Sequence, residues 1–260
     1  MRLIHGEALE ELDKLIDEGV KVDAIITDPP YGTTACKWDT IIPLNEMWEM
    51  LLNIIKDDGA IVLFGGEPFS SKLRISQLKY YKYDWKWEKP NGANFLTFKY
   101  QPARVHEDIM VFGKNAAAYS KNGIMKYNPQ MVKGKPYSQI SGSQRTQYNN
   151  PTVRSPIKKI KTENTGKRYP KSIQKFNRDK TKLHPTQKPV KLLEYLIKTY
   201  TNEGDTVLDF TMGSGTTGVA CKKLNRDFIG IELAERYYNI SKDRIEGKLT
   251  DKEIKEKYKG

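Results

Sequence analysis

The chain has 260 residues and a formal net charge of +12, from 44 Lys and Arg against 32 Asp and Glu. At 38% apolar residues and a mean hydropathy of −0.67 it is one large domain, or one domain with an insertion, and no apolar run approaches the ~20 residues that span a bilayer. Met1 to Glu7 lacks the apolar core of a signal peptide, and the two cysteines, Cys36 and Cys221, form no metal-ligand pattern. A cytoplasmic protein with reduced thiols, no membrane contact and no metal is expected.

Leu3-Ile4-His5 reads as a short strand. Ala8 to Asp17 follows with a helical period at Leu9, Leu12, Leu15 and Ile16, closed by Gly19. Val22 to Ile26 is a buried strand that ends in Thr27-Asp28-Pro29-Pro30-Tyr31. The prolines lack an N–H and fix their own φ, so this turn is stiff and its carbonyls are free. A carboxylate, carbonyls and an aromatic ring at the carboxyl end of a strand lie where open α/β sheets bind ligands. A plain strand-ending turn is the competing reading.

Gly32 to Asp39 is a loop with Cys36 and Trp38. Leu44 to Lys56 is an amphipathic helix that Asp57-Asp58-Gly59 breaks, and Ala60 to Phe64 is the next strand. Strand, helix, strand with short connections predicts a right-handed parallel crossover. A helix from Pro68 to Leu78, a strand from Tyr83 to Lys89, a loop from Asn91 to Arg104 and a strand from Glu107 to Phe112 follow.

Residues 114–183 then carry no sustained period. From Lys114 to Lys182 there are 17 Lys and Arg against two acids, so the rest of the chain is net negative. Tyr119, Tyr127, Tyr137, Tyr148 and Tyr169 are interleaved with these cations. Seventy residues is too long for an ordinary loop, and a concentrated positive field with aromatics points to nucleic acid. Candidate contacts are Arg145, Arg154, Lys158, Lys159, Lys161, Lys167 and Arg168. A solvated basic loop is the bland alternative.

Order returns at His184-Pro185-Thr186-Gln187-Lys188-Pro189, which opens a helix with Leu192, Leu193, Leu196, Ile197 and Tyr200 on its buried face. Thr206 to Phe210 is a strand, Thr211 to Thr217 a glycine loop, Thr217 to Leu224 a helix, Asp227 to Glu232 a strand and Ala234 to Glu246 a helix. Lys248 to Gly260 reads as a charged, frayed tail.

Gly213-Ser214-Gly215-Thr216-Thr217-Gly218 matches G-x-G-x-x-G between a strand and a helix, and Glu232 lies at the end of the next strand. That context admits an NAD oxidoreductase. Asp209, just before the loop, would repel a pyrophosphate and suits a ligand with cationic groups, so the balance favours S-adenosylmethionine.

With these three motifs in this order, the chain resembles the β group of amino-methylating DNA methyltransferases of bacteria and phages. Tyr31-Gly32-Thr33-Thr34-Ala35-Cys36-Lys37-Trp38-Asp39 also resembles a subgroup of them. The resemblance implies a Rossmann-like α/β fold with a seven-stranded, mostly parallel sheet. Residues 1–113 would be the catalytic half, 114–183 an inserted target-recognition segment, 184–247 the cofactor half and 248–260 a tail. It assigns catalysis to Asp28, Pro29, Pro30 and Tyr31. It assigns S-adenosylmethionine to Asp209, Phe210, Gly213, Ser214, Gly215, Thr216, Thr217, Glu232, Thr186, Lys188 and Glu7. Two motifs depart from the family: Asp209-Phe210-Thr211-Met212-Gly213 stands for Asp-Pro-Phe-x-Gly, and Gly6-Glu7 for Gly-Asp. The implied activity is methylation of adenine N6 on a flipped-out base in double-stranded DNA, as in restriction-modification systems, with room for a homodimer. N4-cytosine methylation and a DNA-binding protein with an unused site are the alternatives.

Overall fold

A computed structural model describes residues 1–33, 39–141 and 160–259. The first half runs β1 (Arg2–His5), α1 (Ala8–Asp17), β2 (Val22–Thr27), α2 (Leu44–Ile54), β3 (Ile55–Gly65), α3 (Phe69–Ser76), β4 (Tyr81–Glu88) and β5 (His106–Phe112). Five short strands follow: β6 (Val132–Lys133), β7 (Tyr137–Ser141), β8 (Ile160–Asn164), β9 (Lys167–Arg168) and β10 (Ile173–Lys175). The chain ends with α4 (Val190–Tyr200), β11 (Thr206–Asp209), α5 (Thr216–Lys223), β12 (Asp227–Glu232), α6 (Glu235–Glu246) and α7 (Asp251–Lys257).

The chain forms two compact units, Met1–Asn128 with Ser172–Gly260, and Pro129–Lys171. The larger unit holds one sheet in the order β1-β12-β11-β2-β3-β5-β4-β10. Neighbours pair in parallel except β5, which is antiparallel to both β3 and β4. The expected mostly parallel sheet is present, with eight strands rather than seven. The extra strand is β10, which joins the free side of β4. Three residues with no apolar period carry no strand signal. Their position comes from the ladder itself and from Trp87 Nε1, which donates to Phe176 O at 2.9 Å.

Both faces of the sheet are covered, which explains the unbroken apolar runs in its central strands. Along β3, Ile61 and Leu63 face one side with Leu12, Leu15, Met47, Leu51, Phe69 and Leu73. Ala60, Val62 and Phe64 face the other with Leu192, Leu196, Ile197, Ala220 and Ile245. Trp85 Nε1 in β4 donates to the Tyr200 hydroxyl of α4 at 2.6 Å, so both polar atoms are satisfied inside the second layer.

Three expectations change. The helix expected to run to Lys56 stops at Ile54, and Asp57-Asp58-Gly59 lies inside β3 instead of breaking the chain. Ile55 pairs with Val22, a register shift absorbs the polar residues, and the carbonyls of Asp57 and Asp58 accept from the N–H groups of Asn115 and Lys126. Second, the inserted segment is shorter than residues 114–183. Met125 is core, and Lys126 Nζ bonds Asp205 at 2.7 Å, so residues 114–128 and 172–183 belong to the larger unit. Third, the tail is a docked helix. Thr250 and Glu253 cap α7 reciprocally, and Ile254 is fully buried against Leu183 and Ile240.

The smaller unit has two ladders, β6 with β9 and β7 with β8. Gly134 N donates to Gly166 O at 2.7 Å, and the Arg168 guanidinium lies 4.7 Å from the centre of the Tyr137 ring.

The docking of α7 can be measured. Ile254→Ala should lower unfolding free energy by about 2–4 kcal/mol in denaturant titration. A frayed tail would leave it unchanged.

Candidate active site

The strand order reverses between β11 and β2, which pair in parallel through Val207–Ala24 and Leu208–Ile25. Loops leaving these two carboxyl ends diverge, and a crevice opens between them. Side chains close it at the bottom. Thr27 Oγ1 donates to Asp209 Oδ1 at 2.7 Å, and Thr217 Oγ1 donates to Oδ2 at 2.6 Å. Thr211 Oγ1 donates to the Asp28 backbone carbonyl at 3.1 Å. Residues 182 and 183 positions apart in sequence are thus joined by direct bonds. Burial pushes the Asp209 carboxyl up to about 6, against the pull of the Thr217 and Thr27 hydroxyls.

Asp28 stands just above, part-buried. Its Oδ1 accepts from the Tyr31 hydroxyl at 2.5 Å, and its Oδ2 accepts from Lys188 Nζ. Burial raises the Asp28 carboxyl, while Lys188 pulls it down. Burial and the neighbouring Asp28 raise the Tyr31 phenol well above its ordinary value, so it stays a donor. The Tyr31 ring stacks on Phe69 with centroids 5.1 Å apart. Asp39 fixes the turn that follows: its Oδ1 accepts from the N–H groups of Tyr31 and Gly32, and its Oδ2 from Thr33, at 2.8–2.9 Å.

A cavity of about 340 Å³ runs along this edge. Asp28, Pro29, Pro30 and Tyr31 line it, with Glu7, Thr186, Lys188, Asp209, Phe210, Gly213, Ser214, Thr216, Thr217 and Glu232. The expected catalytic and cofactor residues therefore share one chamber, except Gly215. That glycine has φ +72°, and a Cβ there would meet the Ser241 side chain at 2.8 Å, so a side chain at this position would collide with α6. Gly213 has φ +51° and turns the chain toward the cavity.

The chamber suits S-adenosylmethionine. The Glu232 carboxylate is held at the end of β12 by N–H groups of Gly213 and Ala234, both at 2.8 Å. Each oxygen keeps a lone pair for a ribose hydroxyl. Burial raises this carboxyl too. Glu7 takes the N-cap of α1, accepting from Glu10 N at 2.9 Å, while it also lines the cavity. Lys188 lines the chamber and reaches Asp28, and its Nζ lies 3.4 Å from Glu107 Oε2. Phe210 is 1% exposed and part of the core, and it also lines the chamber. Burial lowers the His184 ring to about 4, and the ring, which lines the chamber, packs edge-on against Tyr237. Cys221 is fully buried, with its thiol pushed up by burial.

Among the expected DNA contacts, Lys161 and Lys167 are exposed on the smaller unit. Arg168 donates to Asn164 Oδ1 and Lys135 O, bracing that unit internally. Arg145, Arg154, Lys158 and Lys159 lie outside the described residues, as do Cys36, Trp38 and Tyr148. Sequence reasoning passed over Thr27, Thr211, Asp39 and Glu107. The hydroxyl beside each motif carboxylate was a usable signal for the first two; the others depend on tertiary contacts.

A family model described as DNA methylase matches residues 22–243. The type II methyltransferase M.HpaI of Haemophilus parainfluenzae is 30% identical, over 95% of this chain and 75% of its own length. The DNA adenine methyltransferase YhdJ of Escherichia coli K12 is also 30% identical, over 94% of this chain and 82% of its own. Among solved structures, the M1.HpyAVI complex with S-adenosylmethionine superposes with a TM-score of 0.61 at 29% identity, covering 94% of this chain and 98% of that one. The cytosine-N4-specific PvuII methyltransferase, at 16% identity and a TM-score of 0.66 over 99% of this chain and 90% of that one, shares the fold.

Asp209 makes a pH test of the strand-end cluster. Its folded value of about 6 exceeds the ordinary 3.8, so the fold favours its protonated form. The stability it lends is fully present below the ordinary value and is lost as pH rises through about 6. The difference in unfolding free energy, wild type minus Asp209→Asn, should therefore fall between about pH 4 and 6 and level off above 7. A difference independent of pH would reject this assignment.

Proposed function

The chain belongs to the N6/N4 DNA methylase family, and we propose that it methylates the N6 amine of adenine in duplex DNA, with Asp28, Pro29, Pro30 and Tyr31 as its catalytic segment. The observation that supports the reading is that Asp28 and Pro29 line the same chamber as Gly213, Ser214 and Glu232. The enzyme uses S-adenosylmethionine, which supplies an electrophilic methyl group on sulfur.

The chain's task is to make a poor nucleophile react. The lone pair of an exocyclic amine is delocalised into the ring. Asp28 and the Pro29 carbonyl each accept one N–H of that amine, which favours a pyramidal nitrogen with a localised lone pair. Each such preorganised contact is worth on the order of 2–4 kcal/mol. The N–CH₃ bond forms as the S–CH₃ bond breaks, and the displaced N–H proton passes to Asp28 and then to solvent. The base must leave the duplex to reach this point. The Tyr31 ring stacks against it for roughly 1–3 kcal/mol. Stiff prolines hold both acceptors in place, so positioning supplies much of the rate.

Adenine is favoured over cytosine because the tetrapeptide begins with Asp, and because the relative named as an adenine methyltransferase aligns along 94% of the chain. The basic segment, including Lys161 and Lys167, supplies phosphate contacts from the smaller unit, and the exposed Tyr169 ring is available to bases.

Transfer of labelled methyl to duplex DNA, with digestion to nucleosides, tests the reading. N6-methyladenine should form with wild type and fall by at least ~10³-fold with Asp28→Ala. N4-methylcytosine would overturn the base assignment. Substituting Lys161 and Lys167 by Gln should weaken binding of unrelated DNA sequences alike and reduce the slope of log affinity against log salt by about 2. An unchanged slope would remove them from the interface.

A further inference from the structure

The connection between β4 and β5 inverts the usual order of a surface loop. It leaves β4 after Glu88 and enters β5 at His106, and within it Phe95, Leu96 and Tyr100 are 69%, 82% and 81% exposed. Its polar groups bond inward. Asn94 Oδ1 accepts from Arg104 N at 2.7 Å, and Asn94 Nδ2 donates to Pro102 O at 3.0 Å. Ala93 N donates to Arg104 O at 3.1 Å, and Thr97 O accepts from the N–H groups of Tyr100 and Gln101 at 2.8 and 3.0 Å. A Cβ at Gly92 would lie 2.7 Å from the Phe98 ring, so that ring is folded onto the base of its own loop. The result is a braced tip that holds three large apolar side chains in water, where they gain no burial.

Place and charge identify the partner. β5 is antiparallel to both β3 and β4, so β4 runs in the same direction as β3 and β2. Its carboxyl end therefore lies on the edge of the sheet that carries Asp28. A second cavity of about 190 Å³ is lined by Ala93 of this loop together with Tyr31 and Lys188, which also line the first. From Lys89 to Val105 the chain has three cations, Lys89, Lys99 and Arg104, and no acid, and Lys99 and Arg104 are exposed. A polyanion suits such a tip. A second copy of the chain does not: a two-fold contact would set the tip against itself and bring its cations together with no carboxylate from the loop between them.

We propose that this tip is a wedge, with Phe95 and Leu96 entering the base stack of duplex DNA beside the target and holding open the gap that the flipped base leaves. The inference rests on the reading of the substrate as a base taken out of a duplex. A base that leaves the stack forfeits its pairing and the contacts on both its faces, and apolar side chains inserted between base steps offset that loss. Such a wedge has to be apolar at its end, stiff behind it, and flanked by cations for the neighbouring phosphates. Phe95 and Leu96, the Asn94 bonds, and Lys99 with Arg104 meet these needs in turn. Tyr31 receives the base while the tip fills the place it vacated.

Unpairing the target in advance tests the wedge. Single-turnover methyl transfer at saturating S-adenosylmethionine and DNA compares wild type with Phe95→Ser/Leu96→Ser on two synthetic duplexes, built around a site read from DNA that the wild type has modified. In one the target adenine faces thymine; in the other it faces an abasic sugar, so flipping breaks no base pair. The double variant should be slowed at least about 30-fold on the paired duplex and less than about 3-fold on the abasic one. Its thermal unfolding should match wild type, because both side chains stand in water. A duplex with 2-aminopurine at the target adds a readout that needs no turnover: the rise in fluorescence on binding should be at least about 5-fold smaller with the variant. Equal slowing on both duplexes would reduce the tip to a general DNA contact and overturn the wedge, as would an unchanged rate. Sedimentation tests the other occupant: a variant of half the wild-type mass would make the tip an interface between copies and overturn the proposal. Absence of methylated adenine with wild type would instead remove the reading on which the wedge rests, whereas methylation insensitive to the tip removes the wedge alone.

Discussion

The hydroxyl-to-carboxylate bonds at the ends of β2 and β11 are the constraint on which the site depends. A buried carboxylate with an empty lone pair would cost several kcal/mol and would let the strand ends separate. Here Asp209 has one threonine hydroxyl on each oxygen, from Thr27 on the neighbouring strand and Thr217 on its own helix. Thr211 returns the connection by donating to the Asp28 carbonyl. The position of Asp28 relative to the Gly213 loop is therefore set by short bonds between strand ends. Flexible loops contribute little to it. That matters for a reaction in which geometry supplies most of the rate.

The architecture around this cluster follows from burial. A sheet covered on both faces can present polar groups only at its edges and ends. The carboxyl ends of β2, β11 and β12 carry Asp28, Asp209 and Glu232, each following a strand of buried apolar residues. Asp28, Asp209 and Glu232 sit at or next to strand ends, whereas Thr186 and Lys188 come from the segment that leads into α4. The loop glycines divide their labour accordingly. Gly213 needs its left-handed φ for the turn, whereas a Cβ at Gly218 would meet Ile245 at 2.4 Å and push α5 off α6. A pattern that reads as one cofactor motif is thus partly a packing motif.

Much of this was legible in the chain. The central strands were visible because a doubly covered strand is continuously apolar, and the three motifs mark their ends. What escaped were features with no local period. β10 has three residues and exists because β4 offers a free side. Ile55 pairs with Val22 across the sheet and overrides the breaker Asp57-Asp58-Gly59. Met125 is buried inside a stretch whose composition reads as polar insertion. In the site itself the tetrapeptide and the glycine loop were apparent, but Asp39, Phe69 and Glu107 act on Tyr31 and Lys188 only after folding. The period of a segment speaks for its own backbone, and a contact between segments leaves no such trace.

The same reasoning explains why Asp28 is caged rather than exposed. A carboxylate at the surface is ionised without help, but it is solvated and free to rotate. Water would satisfy its lone pairs and would have to be stripped before an amine could bind. Burial removes that water and drives the carboxyl toward its protonated form, which could not accept both an N–H and, later, a proton. The Tyr31 hydroxyl and the Lys188 ammonium oppose this with one bond to each oxygen. They also fix the plane of the group. The result is a part-buried carboxyl that burial raises and the Lys188 ammonium pulls down, with one donor on each oxygen. Because a carboxylate oxygen has two lone pairs, the bonds from Tyr31 and Lys188 leave an acceptor position on each oxygen for the approaching amine.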